Sequence, residues 1–262
     1  MTDIHYEIRN RVAWIRLNRP AQKNSFTLEM IDQWRGFLER AQADDEVGAI
    51  VVTGNGGSFC AGADLAIIEE LNAKGSAQAW KSLLWDRVHR IAFTLEAVDK
   101  TVIAAVGGVA VGAGLDMALM CDLRFAARSA TLSEGYIRIG AVPGDGGCWF
   151  LPRLVGVSKA LELLLSGDFI DAEEALRIGM VNRVYEDAEL EEKTQEFAQK
   201  LAGHSPVALR AIKRATYQGL RMDMRASLDM VSSHMGMVQT TGDAAEAMAA
   251  FRERRPPRFK GN

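Results

Sequence analysis

The chain has 262 residues, which suits one globular unit with a large core. Hydrophobic residues make up 48% of it, charged residues 25%, and the net charge is −3, so we expect neither nucleic acid nor anionic lipid as a partner. Three widely spaced cysteines, with no Cys-x-x-Cys pair, predict reduced thiols, no metal site and a cytoplasmic location. The N-terminal segment lacks the cationic start and apolar core of a secretory signal.

Alternating and helical patterns define the predicted elements in chain order. They are strands at 4–9 and 12–17, a helix capped by Thr27, a strand at 47–53, a helix over 77–98, a strand at 101–106, strands at 123–126 and 181–185 around a helix at 172–178, and three or four helices over 189–254. A strand, glycine-rich loop and helix recur about 50 residues apart, which favours an α/β core.

The segment Thr101–Met120 is almost without charge and about long enough to span a bilayer. Asp116 and four glycines favour a strand, a loop and a buried helix instead. We therefore expect no membrane-spanning segment here.

Two junctions rich in glycine and alanine, Ser58–Leu65 and Gly107–Asp116, each follow a short apolar run and lead into a predicted helix. Such junctions can direct two free backbone N–H groups at one point, which stabilises a carbonyl oxygen as it becomes an oxyanion. The alternative is that small residues only allow a helix and a strand to pack closely. The first interpretation predicts acyl-group chemistry.

The chain resembles the crotonase, or enoyl-CoA hydratase/isomerase, superfamily over nearly its whole length. The matching segments are 17–20 with 24–26, 59–65, 107–116 with 120–122, 140–147, 151–156, 171–184 and 251–260. The resemblance implies an α/β spiral of ββα units over residues 1–200 and a C-terminal helical trimerisation region over 201–262. It further implies a homotrimer or homohexamer and an acyl-CoA substrate, with coenzyme A entering as part of that substrate and no cofactor permanently bound.

By position, the family's oxyanion-hole amides correspond to the backbone N–H groups of Ala63 and Ala113. Alanine at 113, where many relatives have glycine, leaves the N–H available and adds one methyl group to the wall of the oxyanion hole. The resemblance thus implies that both amides bind the thioester oxygen.

Enoyl-CoA hydratases typically use two glutamates, and this chain has neither: the matching positions hold Asp116 and Tyr136. Asp116 is either an acid/base group or a carboxylate that bonds to N–H groups near the start of its helix. Tyr136 is a pocket residue first and a proton donor second.

Two further carboxylates could take the missing role. Asp145, in a Pro-Gly-Asp-Gly-Gly loop, lies one residue after the position of an acid in several members of the superfamily, and it is equally well explained as a cap or turn residue. Glu134 would face the same way as Tyr136 on an extended segment, and it is the lower-ranked acid. Isolated histidines at 89, 204 and 234 receive no role.

The resemblance also implies contacts with coenzyme A. Lys23, Ala61, Asp64 and Leu65 match the region that meets the adenine and pantetheine, although Asp64 is also a helix-capping candidate. A basic C-terminal stretch, which includes Phe251, Arg254 and Arg258, could reach the 3′-phosphate across a subunit boundary. A solvated charged tail is the alternative.

The function that the sequence predicts is hydration of a 2-enoyl-CoA to a 3-hydroxyacyl-CoA. Double-bond isomerisation and acyl-CoA hydrolysis are alternatives, since they would use the same oxyanion hole. The loss of both glutamates also leaves open a non-catalytic acyl-CoA-binding subunit.

Overall fold

The computed structural model describes residues 2–262. Its strands are β1 Ile4–Arg9, β2 Val12–Leu17, β3 Ala49–Gly54, β4 Ser58–Cys60, β5 Thr101–Val106, β6 Val109–Val111, β7 Leu123–Ala127, β8 Thr131–Ser133, β9 Ile170–Asp171 and β10 Arg183–Tyr185. Its α-helices are α1 Leu28–Ala43, α2 Leu65–Lys74, α3 Ala77–Leu83, α4 Arg90–Ala97, α5 Ala113–Leu119, α6 Gly147–Val155, α7 Val157–Ser166, α8 Ala172–Arg177, α9 Leu190–Ala202, α10 Pro206–Gly219, α11 Met224–Gln239 and α12 Gly242–Glu253.

The larger sheet has six strands in the order β1-β2-β3-β5-β7-β10. It begins with the predicted hairpin, whose turn residues Asn10 and Arg11 both have positive φ, as a two-residue turn between antiparallel strands requires. The other neighbours in this sheet pair in parallel. The mixed α/β architecture expected from the sequence is therefore confirmed.

A second sheet of four short strands, in the order β4-β6-β8-β9, lies beside the first. Strands β4 and β6 run parallel, with Ser58 opposite Val109 and Cys60 opposite Ala110. Each of these two strands leads into one glycine-and-alanine junction. The pairing therefore brings both junctions to the same edge of the sheet.

The hydrophobic core occupies both faces of the larger sheet. On one face the fully buried Trp34 of α1 and Phe59 of β4 belong to the main cluster. On the other face Trp14 and Phe125 are covered by α9, with Phe197 set edge-on to Phe125. Thr27 caps α1 as predicted, its hydroxyl oxygen accepting the Met30 N–H at 3.2 Å.

The predicted helix over 77–98 is wrong as one element. It consists of α3 and α4 separated by a single π-helical turn, Leu84–Val88, whose last hydrogen bond joins the His89 N–H to the Leu84 carbonyl at 2.8 Å. Such turns displace the following helix and are frequent at functional sites. Helix α7 and the short strands of the second sheet were not predicted from the sequence.

After α9 the chain is helical, as predicted, with breaks near Ser205, Gly219 and Gly242. Helix α10 is attached to the sheet by ion pairs of Lys213 with Asp122 and of Arg214 with Asp99. The methionines of α11 and α12 at 224, 235, 237 and 248 are exposed rather than packed against this chain. Among residues 2–262, no helix has the length and apolar character of a membrane span.

Candidate active site

The first junction is fixed by a parallel β-bridge between Phe26 and Ala63. The Phe26 N–H donates to the Gly62 carbonyl at 2.9 Å, and the Asp64 N–H donates to the Phe26 carbonyl at 3.0 Å. In a parallel bridge the residue between these two bonds directs its own N–H away from its partner. The peptide N–H of Ala63 therefore faces away from Phe26, and the positive φ of Gly62, +97°, permits this conformation.

The second junction starts α5 at Ala113. Gly112 has φ +52° and ψ −125°, a conformation essentially limited to glycine, and its N–H donates to the Ser133 carbonyl at 2.9 Å. Ala113 is the first helical residue, so its N–H has no carbonyl one turn earlier to bind. A Cβ built on Gly114 would lie 2.1 Å from the Cys60 carbonyl oxygen, so only glycine lets α5 approach β4 this closely.

These two junctions meet. A Cβ built on Gly62 would lie 3.6 Å from the Ala113 nitrogen. Within residues 2–262, neither the Ala63 nor the Ala113 N–H donates to a protein acceptor. Two free N–H donors on adjacent loops, at the start of a helix, form an arrangement that can hold a developing oxyanion.

Beside this pair lies a cluster of acidic groups centred on Tyr136. The Tyr136 hydroxyl is 2.6 Å from Asp116 Oδ2 and 2.8 Å from Asp145 Oδ2. Its ring packs against Gly112, where a built Cβ would be 3.7 Å away, so the cluster adjoins the Ala113 junction. Because one hydroxyl carries one proton, two carboxyls can both bond to it only if one of them is protonated.

Burial raises the pKa values of these acids. It raises the pKa of Asp116 to about 7, despite the hydrogen bond from Tyr136 that favours the charged form. The pKa of Asp145 is also raised by burial, with Tyr136 and His89 acting against the rise. The pKa of Tyr136 lies well above its usual value, so its hydroxyl remains protonated and cannot serve as a base.

The contacts decide between the alternatives for the two aspartates. Asp145 does not cap α6, whose N-cap is Gly146, and its side chain points to Tyr136 instead. Asp116 likewise caps no helix end: it lies fully buried in the first turn of α5. The helix-capping interpretations of both residues are therefore wrong, whereas Asp145 does lie in a turn, as its other interpretation predicted.

Glu134 belongs to the same cluster, but for a different reason from the one predicted. The segment after it, Gly135–Ile139, is a 3₁₀ helix rather than an extended strand, so the argument from alternating side chains is wrong. Glu134 is 1% exposed, and a Cβ built on Gly147 would lie 2.7 Å from its Oε2 and 2.6 Å from Asp116 Oδ1. Both carboxyls thus border the same glycine.

Sequence reasoning missed His89. Its Nε2 lies 2.7 Å from the carbonyl oxygen of Gly144, the residue before Asp145, and its ring packs edge-on to Trp85 and Phe93. A hydrogen bond to a carbonyl requires the proton on Nε2. The only available signal was the overlong helical pattern, which did not reveal the π-helical turn that ends at this histidine.

The residues expected to contact coenzyme A near the first junction lie together. Lys23 is exposed and its carbonyl accepts the Ala61 N–H at 3.0 Å, while Leu65 is 70% exposed at the start of α2. Asp64 caps α2 through the Ala66 N–H and pairs with Arg19 at 2.7 Å. Arg19 was not singled out from the sequence, yet it anchors the residue next to Ala63.

The expected C-terminal contacts lie elsewhere in the chain. Phe251, on α12, is 81% exposed, and Arg254 ends that helix with a left-handed conformation. The Arg258 N–H donates to the Glu246 carboxylate at 2.8 Å, so the tail folds back along α12. The described contacts of this tail do not join it to the first junction of the same chain.

A cavity of about 750 Å³ opens between α4, α6 and α10. Its walls include Asp145, His89 and the apolar side chains of Met120 and Phe150. Asp145 therefore contacts both this cavity and Tyr136.

Comparison with known proteins agrees with this architecture. The sequence profile described as Enoyl-CoA hydratase/isomerase matches residues 7–262. The chain is 35% identical to a short-chain-enoyl-CoA hydratase of Clostridium acetobutylicum, over 97% of this chain and 96% of that protein. It is also 35% identical to a 2,3-dehydroadipyl-CoA hydratase of Escherichia coli, over the full length of both. The crystal structure of an enoyl-CoA hydratase from Bacillus anthracis superposes with a TM-score of 0.91 at 34% identity, covering 100% of both chains. The chain therefore belongs to the enoyl-CoA hydratase/isomerase family.

Proposed function

We propose that this protein hydrates a 2-enoyl-CoA to a 3-hydroxyacyl-CoA. One observation carries the proposal: a hydroxyl that bridges two buried carboxyls adjoins two free backbone N–H groups. Hydration needs a site for the negative charge on the thioester oxygen, a base for water and an acid for the α-carbon. The two junctions and the Tyr136 cluster supply groups for all three.

In the proposed reaction the thioester oxygen accepts hydrogen bonds from Ala63 and Ala113. The ionised member of the Asp116–Asp145 pair takes a proton from water, whose oxygen bonds to the β-carbon. The protonated member, or Tyr136 on its behalf, gives a proton to the α-carbon as the enolate collapses. One proton enters the cluster and one leaves it, and a proton shift through the Tyr136 hydroxyl then returns the two carboxyls to their starting state.

Binding of the CoA part is proposed for two regions. Lys23, Ala61, Asp64 and Leu65 border the Ala63 loop, which supports contacts with the adenine and pantetheine. Phe251, Arg254 and Arg258 would contribute from a neighbouring subunit, which fits the proposed homotrimer or homohexamer built through residues 201–262. The proposal needs no resident cofactor, and the buried Cys60 and Cys121 thiols fit a reducing cytoplasmic setting.

The test is a steady-state assay with crotonyl-CoA, followed by loss of the conjugated enoyl thioester. We expect Asp116→Asn to lower kcat by roughly 100-fold or more while CoA affinity stays unchanged, since the amide cannot exchange the proton. Asp145→Asn should lower kcat in the same direction. Asp45→Asn, in the exposed turn between α1 and β3, is the matched control and should keep full activity.

Isomerisation is the second candidate, because a carboxyl of the Tyr136 cluster could also take a proton from one carbon of the substrate and return it to another. A 3-enoyl-CoA substrate separates the two reactions. Turnover of the 3-enoyl ester without water addition to crotonyl-CoA would replace hydration by isomerisation. Tight CoA binding with neither reaction would favour a non-catalytic binding subunit.

A further inference from the structure

Glu134 is the member of the acidic cluster that the proposed reaction does not use. Its carboxyl is buried, and among the described residues neither of its oxygens has a conventional hydrogen-bond donor. Asp116 Oδ1 is unpartnered in the same way. Burying an unpaired carboxylate costs several kcal/mol, so two such groups side by side indicate a shared proton.

The positions of the three oxygens define where that proton lies. Asp116 Oδ2 accepts the hydrogen bond from the Tyr136 hydroxyl, whereas Asp116 Oδ1 has no partner among the described residues. Asp116 Oδ1 and Glu134 Oε2 both face the Cβ position of Gly147, at 2.6 and 2.7 Å. A larger residue at 147 would separate them. The absence of a side chain at 147 therefore leaves room for both oxygens beside this residue.

The charge balance assigns the proton to Glu134. No lysine or arginine of the described chain forms an ion pair with Asp116, Glu134 or Asp145. Burial, together with the neighbouring Asp116 charge, raises the pKa of Glu134 to about 10. Glu134 is therefore the group that keeps its proton while Asp116 ionises.

We propose that Glu134 is a positioning residue that stays protonated and donates its O–H to Asp116 Oδ1. This inference rests on the proposed function of Asp116. The bond fixes the rotation of the Asp116 carboxyl, so that Oδ2 is the oxygen that exchanges protons with Tyr136. It also stabilises the ionised form of Asp116 and so keeps its pKa from rising further.

Two variants of similar size test the role. Glu134→Gln keeps a donor toward Asp116 Oδ1 and should retain kcat within about threefold, with an unchanged pH profile. Glu134→Leu removes the donor, so the acid limb of the kcat/KM profile should move up by about one pH unit. A loss of roughly 100-fold in Glu134→Gln would mean that Glu134 itself transfers the proton. An unmoved acid limb in a folded Glu134→Leu protein would also overturn the proposal.

A readout independent of turnover separates this inference from the proposed function. In the infrared spectrum at pH 8, the C=O absorption of protonated carboxyls should be weaker in Glu134→Gln than in the parent protein by one carboxyl, because the proton of the Asp116–Asp145 pair remains in both. Absence of that difference would mean that Glu134 is ionised and would refute the inference, even in an active enzyme. Its presence in a protein without hydratase activity would refute only the reaction.

Discussion

The sharpest structural prediction concerns Gly147, the first residue of α6. A methyl group there would lie 2.6 Å from Asp116 Oδ1 and 2.7 Å from Glu134 Oε2, distances at which the oxygens must move. Overpacking of a buried site costs about 1–3 kcal/mol. Alanine recovers at most about 0.5–1 kcal/mol over glycine in a helix, so Gly147→Ala should lose up to about 2.5 kcal/mol of unfolding free energy.

Gly36, within α1, is the matched control, since nothing lies within 4 Å of a Cβ built there. Gly36→Ala should gain about 0.5–1 kcal/mol from helix propensity alone. Urea unfolding of both variants measures the difference. A steady-state assay should show a loss of kcat of roughly 10- to 100-fold for Gly147→Ala only, because its acids are displaced. A Gly147→Ala protein as stable and as active as its parent would show that the two carboxyls do not meet at this glycine.

Two further predictions follow from the buried groups around this site. Burial raises the pKa of Asp116 from 3.8 to about 7, so the native state keeps a proton that the unfolded chain releases. The free energy of unfolding should therefore fall as pH rises from about 4 to about 7. For this proton the slope is at most about 1.4 kcal/mol per pH unit. Asp116→Asn should flatten that slope in urea titrations, and an equal slope in both proteins would contradict the assignment. His89→Phe should lower the free energy of unfolding by about 1–3 kcal/mol, because it leaves the Gly144 carbonyl without a donor. His89→Gln keeps a donor and should lose less stability in the same urea titration. Equal losses in the two variants would exclude this hydrogen bond as the cause.

Local sequence pattern was sufficient to predict the six-stranded sheet and most helices. The opening hairpin, the strand at 101–106 and the capped α1 have the predicted bounds or cap, because alternation and capping act over a few residues. The π-helical turn before His89 escaped prediction, since its cause is packing rather than local propensity.

In the candidate site, too, local features were predictable from the sequence and tertiary contacts were not. The two junctions were identifiable because glycine at unusual φ leaves a mark in the sequence. The meeting of Asp116, Tyr136 and Asp145 was not derivable, because the three residues come from α5, a 3₁₀ turn and a loop whose mutual distances depend on tertiary structure. Their pKa values depend on burial, which no local pattern encodes, and the contact of Glu134 with Asp116 depends on one missing side chain, at Gly147.

The close contact between Gly114 and the Cys60 carbonyl ties α5 to β4 through backbone atoms alone. The backbone that carries the Ala113 N–H, one of the proposed donors for the thioester oxygen, is therefore held to β4 by a contact that involves none of the side chains at 116, 134, 136 or 145. The proposed proton-transfer groups are, in contrast, side chains that lie beside this backbone. We therefore expect single substitutions among these side chains to change proton transfer while the proposed oxyanion hole is retained.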